Sequence, residues 1–463
     1  MNTTLMAIAA YVALQFAIGV WVGRRIANEH DYINAGRRIG LLVGAFSVFA
    51  TWFGAEAIVG AAGTVYEEGL TGATIDPFGY ATALVVAGLV MARPLWQRGY
   101  ATFGDFFRDR YSVGVERLAV LLILPGPIIW AAAQIRAFGV VTSATGDVSL
   151  ATGILVATAV IVAYTTVGGL LADAYTDVLQ GAVIILGLAI IFVLVASESG
   201  GIAASMAAIP SERLSYSTGS SLGVFEMIEQ WAIPIGGTLV SIELISRMLG
   251  TRSAETARQA CIVGGAIYLL VGLVPVYLGL VGPALVPGLE NSEEVVSRLA
   301  ERYLPGVLFI VFTGAIVSAI LSTVDSALLA SGAILSRNAL EPIARDLGER
   351  SRLYLTRATV GVLGVSACLI ALWSTSIHDL VETASAFGSA GLVVTALFGL
   401  FTRYGGPWSA AAALVTGASV WGLGALTGAL SSPYLVALAA ALSAYVAVAR
   451  FEPARPATEQ GPS

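Results

Sequence analysis

The chain contains no lysine: all 24 of its basic residues are arginine. Charged residues of every kind make up only 12% of its 463 residues, against roughly 25% in an ordinary soluble domain. A soluble chain of this length would split into about two or three domains, each needing a polar shell. Too little charge is present to build one, which excludes a soluble enzyme. Disorder is excluded too, because 57% of the residues are hydrophobic and the mean hydropathy is +0.83. The net charge of −6 offers no polybasic surface for nucleic acid. The only cysteines, Cys261 and Cys368, lie in apolar runs and read as buried small hydrophobes. The only histidines, His30 and His378, lack metal-ligand spacing. No nucleophile–base pair or metal cluster stands out, so the reading is of a protein that is not an enzyme and has no organic cofactor.

What the chain has is long apolar runs and 52 glycines, a residue common where membrane helices pack closely or break. A membrane-spanning helix needs about 20 mostly apolar residues. Thirteen such segments tile the chain: 3–23, 41–66, 72–92, 117–143, 150–170, 175–197, 222–246, 259–284, 305–335, 356–375, 378–402, 407–427 and 432–449. The first has no basic n-region and no A-x-A site at the end of its apolar stretch, and predicts a retained helix. The expectation is an all-α integral membrane protein: one transmembrane domain over 1–455, followed by a polar tail, 456–463. Twenty of the 24 arginines fall in one set of loops, three in the opposite set, and Arg136 inside a span. The positive-inside rule then puts the N-terminus outside and the C-terminus in the cytoplasm of a plasma-membrane protein. The outer segment 287–304, with Glu290, Glu293, Glu294 and Glu301, reads as a solvated loop.

Carboxylates inside spans are costly and point to function. The second span, Gly44 to Tyr66, holds Glu56 near its middle and is interrupted by Gly54, Gly60 and Gly63. Such a pattern suits a broken helix whose freed carbonyls hold a cation; close packing by small residues reads equally well. Between spans five and six, Asp173 is placed at the surface and Asp177 at the start of an apolar helix, where an acid caps. In the ninth span Ala319, Ser322, Thr323 and Ser326 recur at i, i+3, i+4 and i+7, forming one stripe flanked by Asp325. Its oxygens are hard ligands that suit a small hard cation. Trp52, Tyr80 and Trp130 fall within spans, as core packing or as a cation–π site for an organic cation.

Three stretches carry a resemblance over most of the chain: Asp31 to Arg37 (DYINAGR), YTTVGGLLADAYTDVLQ, and AILSTVDSALL. They resemble the sodium:solute symporter family. That resemblance implies a LeuT-like broken-helix fold of five plus five inverted-repeat helices, one helix before the core and two after, with repeats at about 41–197 and 222–402. ATWFGAEAIVGAAGTVY, FGYATALVVAGLVMARPLWQRGYATFGDFF and IIWAAAQIRAFG resemble the high-affinity choline transporter branch in particular. There Trp52, Tyr80 and Trp130 match three positions of an aromatic cage. The fourth is Ser241 here, so the cage is incomplete. Glu56 and Glu243, acids absent from that branch, are placed to neutralise a cationic substrate or to pair with Arg136. The resemblance implies sodium ligands at Ala50, Phe53, Ala319, Ser322 and Thr323, and a second sodium site from Asp177, Ser322, Asp325 and Ser326. The expected function is sodium-coupled import of a small organic solute, choline or another ammonium compound. The rivals are sodium- or proton-coupled symport of an amino acid, carboxylate or sugar, and, less well supported, a membrane sensor. The expected partners are that solute and the lipid bilayer, with no obligatory protein partner.

Overall fold

The computed structural model describes residues 3–24, 26, 28–145, 148–215, 223–344, 348–374 and 377–452; the polar tail 456–463 lies outside them. Among the described residues the chain is helical, with one isolated β-bridge joining Ile39 to Thr251. The helices used below are α1 (Thr3–Gly23), α2 (Leu41–Trp52), α3 (Tyr80–Val90), α4 (Pro125–Thr145), α5 (Leu150–Glu198), α6 (Val224–Val240), α7 (Ile242–Gly250), α8 (Ala254–Leu285), α9 (Gly306–Ile334), α10 (Glu349–Trp373), α11 (Ile377–Ala386), α12 (Ser389–Phe401), α13 (Pro407–Thr427) and α14 (Pro433–Ala449). By length and composition, nine helices among the described residues can cross a membrane, and ten if α6 and α7 form one bent span. Large apolar side chains such as Leu121, Leu155, Val193, Leu270 and Val362 remain exposed on the outer faces, as a bilayer-facing surface requires. This is a multi-pass membrane protein.

The count differs from thirteen because helix breaks and helix boundaries do not coincide. Helix α5 runs for 49 residues, a length of about 74 Å if straight, more than twice the roughly 30 Å apolar thickness of a bilayer. It covers two predicted spans and loses helical geometry at Gly169 (φ 62°, ψ 178°). A β-carbon there would sit 2.8 Å from the Tyr32 ring, so glycine serves both the backbone conformation and the approach. Conversely, several predicted single spans are divided. The second ends as α2 at Trp52 and resumes through a π-helical turn at Glu56–Gly60. The third kinks at Asp76 (φ −131°, ψ 121°). The seventh bends by 46° at Ser241, between α6 and α7. Segment 287–304 is not simply a solvated loop. Val295–Tyr303 is a short helix that buries Val295, Val296, Leu299 and Ala300, while Glu294 and Glu301 pair with Arg298 in solvent. Its apolar residues fall on one face, which a charge-rich reading of the segment overlooks.

Longer helices start where side chains satisfy the free N–H groups of the first turn. Ser149 accepts from Thr152 N at 3.2 Å ahead of α5, and Ser253 from Thr256 N at 3.0 Å ahead of α8. The core of the molecule is built on α5: α2, α4, α8 and α9 all pack against it.

Candidate substrate and cation sites

The hydroxyl stripe of α9 meets the broken end of α2. Ser322 Oγ donates to the Ala50 carbonyl at 2.6 Å and lies 3.2 Å from the Ala319 carbonyl. Thr323 Oγ1 donates to the Thr51 carbonyl at 3.0 Å and is 3.1 Å from Ala319 O. Ala50 and Thr51 belong to the last turn of a helix, whose carbonyls lack the next turn's N–H partners. The break at Phe53 and Gly54 is what leaves them for α9. Ala50, Ala319, Ser322 and Thr323 are thus brought together, all buried. Thr51, which sequence reasoning missed, supplies the carbonyl that Thr323 reaches. Phe53 closes α2 through its N–H to Phe49 O at 2.9 Å, and its ring packs 5.1 Å from Phe49 and 5.2 Å from Tyr268. The assembled donor set is neutral and all oxygen, which fits a monovalent hard cation.

One helix turn further along α9 lies a buried charged cluster. Asp173 is not at the surface: its carboxylate pairs with Arg247 Nη2 at 2.5 Å, and both side chains are almost fully buried. Asp177 stands inside α5, eight residues past the Gly169 break, so it does not cap that helix. Its Oδ2 accepts from Ser47 Oγ at 2.5 Å and lies 3.4 Å from Arg247 Nη2. Arg247 also donates to Ser326 Oγ, which in turn donates to Ser322 O at 2.6 Å. Asp325 accepts from Tyr164 OH at 2.6 Å and from Ser326 N at 2.9 Å. The residues expected around a second sodium therefore surround a guanidinium. Arg247 is one of the twenty arginines that the sequence assigns to one set of loops; the bend at Ser241 turns α7 inward and carries it into the core.

The aromatic residues also converge. Trp130 lies edge-on to Trp52, with centroids 6.2 Å apart, and 5.8 Å from Tyr80. Tyr80 OH is 2.7 Å from Ser385 Oγ. A small cavity, about 20 Å³, is lined by Thr51, Trp52, Trp130, Ser241, Glu243, Thr323 and Ala327, so it touches both the aromatic residues and the α2–α9 oxygen cluster. Ser241 sits at the bend, donates to Glu243 Oε2 at 2.9 Å and caps α7 through Leu244 N at 3.4 Å. Glu56 is held by Gln134 Nε2, whose own Oε1 accepts from Ala55 N at 2.9 Å. Gly54 makes room for this arrangement, since a β-carbon there would meet both Gln134 Oε1 and Glu56. Arg136, one of the partners considered for Glu56 and Glu243, donates to the Ala371 carbonyl at 3.3 Å. A larger cavity, about 430 Å³, opens beside Glu56 and Tyr80 and is also lined by Asp76. Asp76 was missed in the sequence, although a carboxylate just before Pro77 in an apolar span was a signal to read.

The Sodium:solute symporter family profile matches residues 32–417. The chain is 28% identical over 395 residues to the high-affinity choline transporter 1 of Drosophila melanogaster, which covers 81% of this chain and 63% of that protein. It is 27% identical over 435 residues to the human high affinity choline transporter 1, covering 89% of this chain and 75% of that one. With the high-affinity proline transporter PutP of Bacillus subtilis it shares 25% identity over 420 residues, 87% and 88% of the two chains. In fold it is similar to a Na+-coupled sialic acid symporter solved in a substrate-bound outward-open state, with a TM-score of 0.86 at 16% identity over 98% of this chain and 99% of that one. The broken helix, the oxygen cluster on its free carbonyls and the profile match over most of its length agree: this chain belongs to the sodium:solute symporter family.

Proposed function

We propose that this chain, a sodium-coupled symporter by family, imports a small organic solute bearing an ammonium group, with choline or a relative as first choice. The observation that carries the reading is the junction of α2 and α9. There the carbonyls of Ala50 and Thr51, next in sequence to Trp52, face the hydroxyls of Ser322 and Thr323. Sodium held by Ala50, Ala319, Ser322 and Thr323, with Phe53 at the break, ties the two helices and orders the carbonyls that precede Trp52. Trp52, Tyr80, Trp130, Ser241, Glu56 and Glu243 then bind the solute in the adjoining space. Coupling works by differential binding: sodium favours the outward-open state, in which the solute site is complete. Each sodium entering with the membrane potential contributes about 2.3 kcal/mol per 100 mV. The names of the choline transporter relatives support the substrate class, and the mid-span aromatic residues support it independently.

The same reading places residues 1–455 in one transmembrane domain, with thirteen spans when α5 counts as two and each broken helix as one. Its two inverted repeats span 41–197 and 222–402, the N-terminus is outside and the C-terminus cytoplasmic. The breaks in α2 and between α6 and α7 fall in the first helix of each repeat, as an inverted repeat requires. Uptake into proteoliposomes tests the function. Choline accumulation should require an inward sodium gradient, and Trp130→Leu should lower affinity about tenfold by removing a π face worth about 0.5–2 kcal/mol. Uptake indifferent to sodium and driven by a pH gradient would overturn the coupling; equal affinity for choline and an uncharged isostere would overturn the ammonium reading.

A further inference from the structure

The resemblance implies four ligands for a second sodium: Asp177, Ser322, Asp325 and Ser326. A sodium site needs such oxygens to converge on a point that no other cation holds. Here each has other work. Ser322 Oγ belongs to the α2–α9 cluster, where it donates to Ala50 O at 2.6 Å. Asp325 spends Oδ2 on Tyr164 OH at 2.6 Å and Oδ1 on Ser326 N at 2.9 Å. Ser326 Oγ gives its proton to Ser322 O at 2.6 Å and accepts from Arg247 Nη2. Asp177 Oδ2 accepts from Ser47 Oγ at 2.5 Å and lies 3.4 Å from the same guanidinium nitrogen. Ser326 and Asp177 thus converge on Arg247.

The guanidinium is fixed in that place. Its Nη1 donates to Glu243 O at 3.2 Å, one turn back on α7, and its Nη2 to Asp173 Oδ2 at 2.5 Å. Asp173 stands four residues before Asp177 on α5, so Arg247 has a carboxylate partner of its own besides Asp177. An arginine does not lose its charge inside a protein. A sodium ion about 4 Å from it, at an effective dielectric of about 20, would bind about a thousandfold more weakly than at the same oxygens without it. The α2–α9 cluster offers neutral oxygens instead, one helix turn away. We infer that Arg247 is a resident cation in the place of a second sodium, and that the chain binds one sodium per solute, at Ala50, Ala319, Ser322 and Thr323. This rests on the reading of the α2–α9 junction as the sodium site. The resident charge ties α5, α7 and α9 together whatever the sodium concentration, so the sodium dependence is that of a single site.

Equilibrium binding of radiolabelled sodium to the full chain in nanodiscs counts the sites without any solute. One sodium per chain is expected, with a Hill coefficient of about one. Thr323→Ala should weaken that binding about tenfold and leave no tighter class behind. Asp177→Asn should leave the count at one and shift the affinity less than about threefold. Arg247→Met should admit a second sodium, and Arg247→Met with Asp177→Asn should return the count to one. If the Arg247 variants do not fold, the wild-type count and Asp177→Asn decide. Two sodium ions per wild-type chain, or a sodium lost in Asp177→Asn, overturns the inference and leaves sodium coupling intact. A folded Arg247→Met protein that still binds one sodium overturns the role given to the guanidinium. No sodium bound, or a single sodium indifferent to Thr323→Ala, overturns both the inference and the α2–α9 site.

Discussion

Arg247 is the residue whose removal should be felt most. Its guanidinium lies 2.5 Å from Asp173 and 3.4 Å from Asp177, with less than 2% of its side chain exposed. At an effective dielectric of about 20, the attraction to Asp177 alone is of order 5 kcal/mol. Desolvation offsets much of that in the intact cluster, so the pair adds little net stability as it stands. Removing only the cation is a different matter, because Asp173, Asp177 and Asp325 stay buried without it. Arg247→Met, which keeps the bulk, should destabilise the protein by about 3–5 kcal/mol. Adding Asp173→Asn to that variant should recover a good part of the loss by deleting one unpaired charge. A small cation should recover part of it too. Ser326 Oγ and the Asp177 carboxylate, released from the guanidinium, become an oxygen site that sodium can enter. At a sodium concentration 100 times the dissociation constant, binding stabilises by about 2.7 kcal/mol. The assay is thermal inactivation of ligand binding by purified wild type and variants, in sodium and in potassium. Arg247→Met should gain more from sodium than wild type does, and its uptake should depend more steeply on sodium. A loss below about 1 kcal/mol, or a sodium increment equal to that of wild type, would refute the reasoning.

Thr323→Ala removes the hydroxyl that reaches Thr51 O at 3.0 Å and should raise the sodium concentration for half-maximal uptake about tenfold, leaving the maximal rate in saturating sodium nearly unchanged. An unaltered sodium dependence in flux measurements would remove Thr323 from the coupling site. Ser241→Trp should block transport rather than complete an aromatic cage. Besides the 20 Å³ cavity, Ser241 lines a second one of about 40 Å³, room for about three water molecules, and the substitution also deletes the cap on α7; tighter choline binding by this variant would show that the bend opens to admit the ring. Glu341 lies just beyond the C-terminal end predicted for the ninth span, where burial and the neighbouring Glu29 raise its carboxyl to about 7, against the pull of Arg352 at 3.7 Å. The folded state therefore prefers its proton. The associated stabilisation is complete below about pH 4.5 and is lost as pH rises through about 7. Glu341→Gln should consequently stabilise the protein at about pH 8 and make little difference at about pH 4.5, as read by thermal unfolding at both pH values.

Membrane residence, the all-helical class and the α9 stripe were legible from residue type and spacing alone. Apolar length is a property of composition, and the i, i+3, i+4, i+7 recurrence of Ala319, Ser322, Thr323 and Ser326 projects onto one helix face whatever surrounds it. The mid-span positions of Trp52, Tyr80 and Trp130 were legible for the same reason, and the structure brings the rings of Trp52 and Tyr80 each to about 6 Å from that of Trp130. The partners of these groups were not legible. Ser322 and Ala50 are 272 positions apart, as are Thr323 and Thr51, and meet only because α2 stops at Trp52 beside α9. Read locally, Asp173 looks like a surface acid and Asp177 like a helix cap, and the family resemblance turns Asp177 into an expected sodium ligand; neither reading shows Arg247, 74 and 70 residues away. The bend at Ser241 decides that Arg247 points inward. No periodicity announces it, because the residues on both sides remain helical and apolar. Asp76 was overlooked for a related reason: one carboxylate in an apolar run says only that burial is costly. That one of its oxygens has Tyr268 and the other has nothing is a fact of packing, settled by which helices the breaks allow to approach.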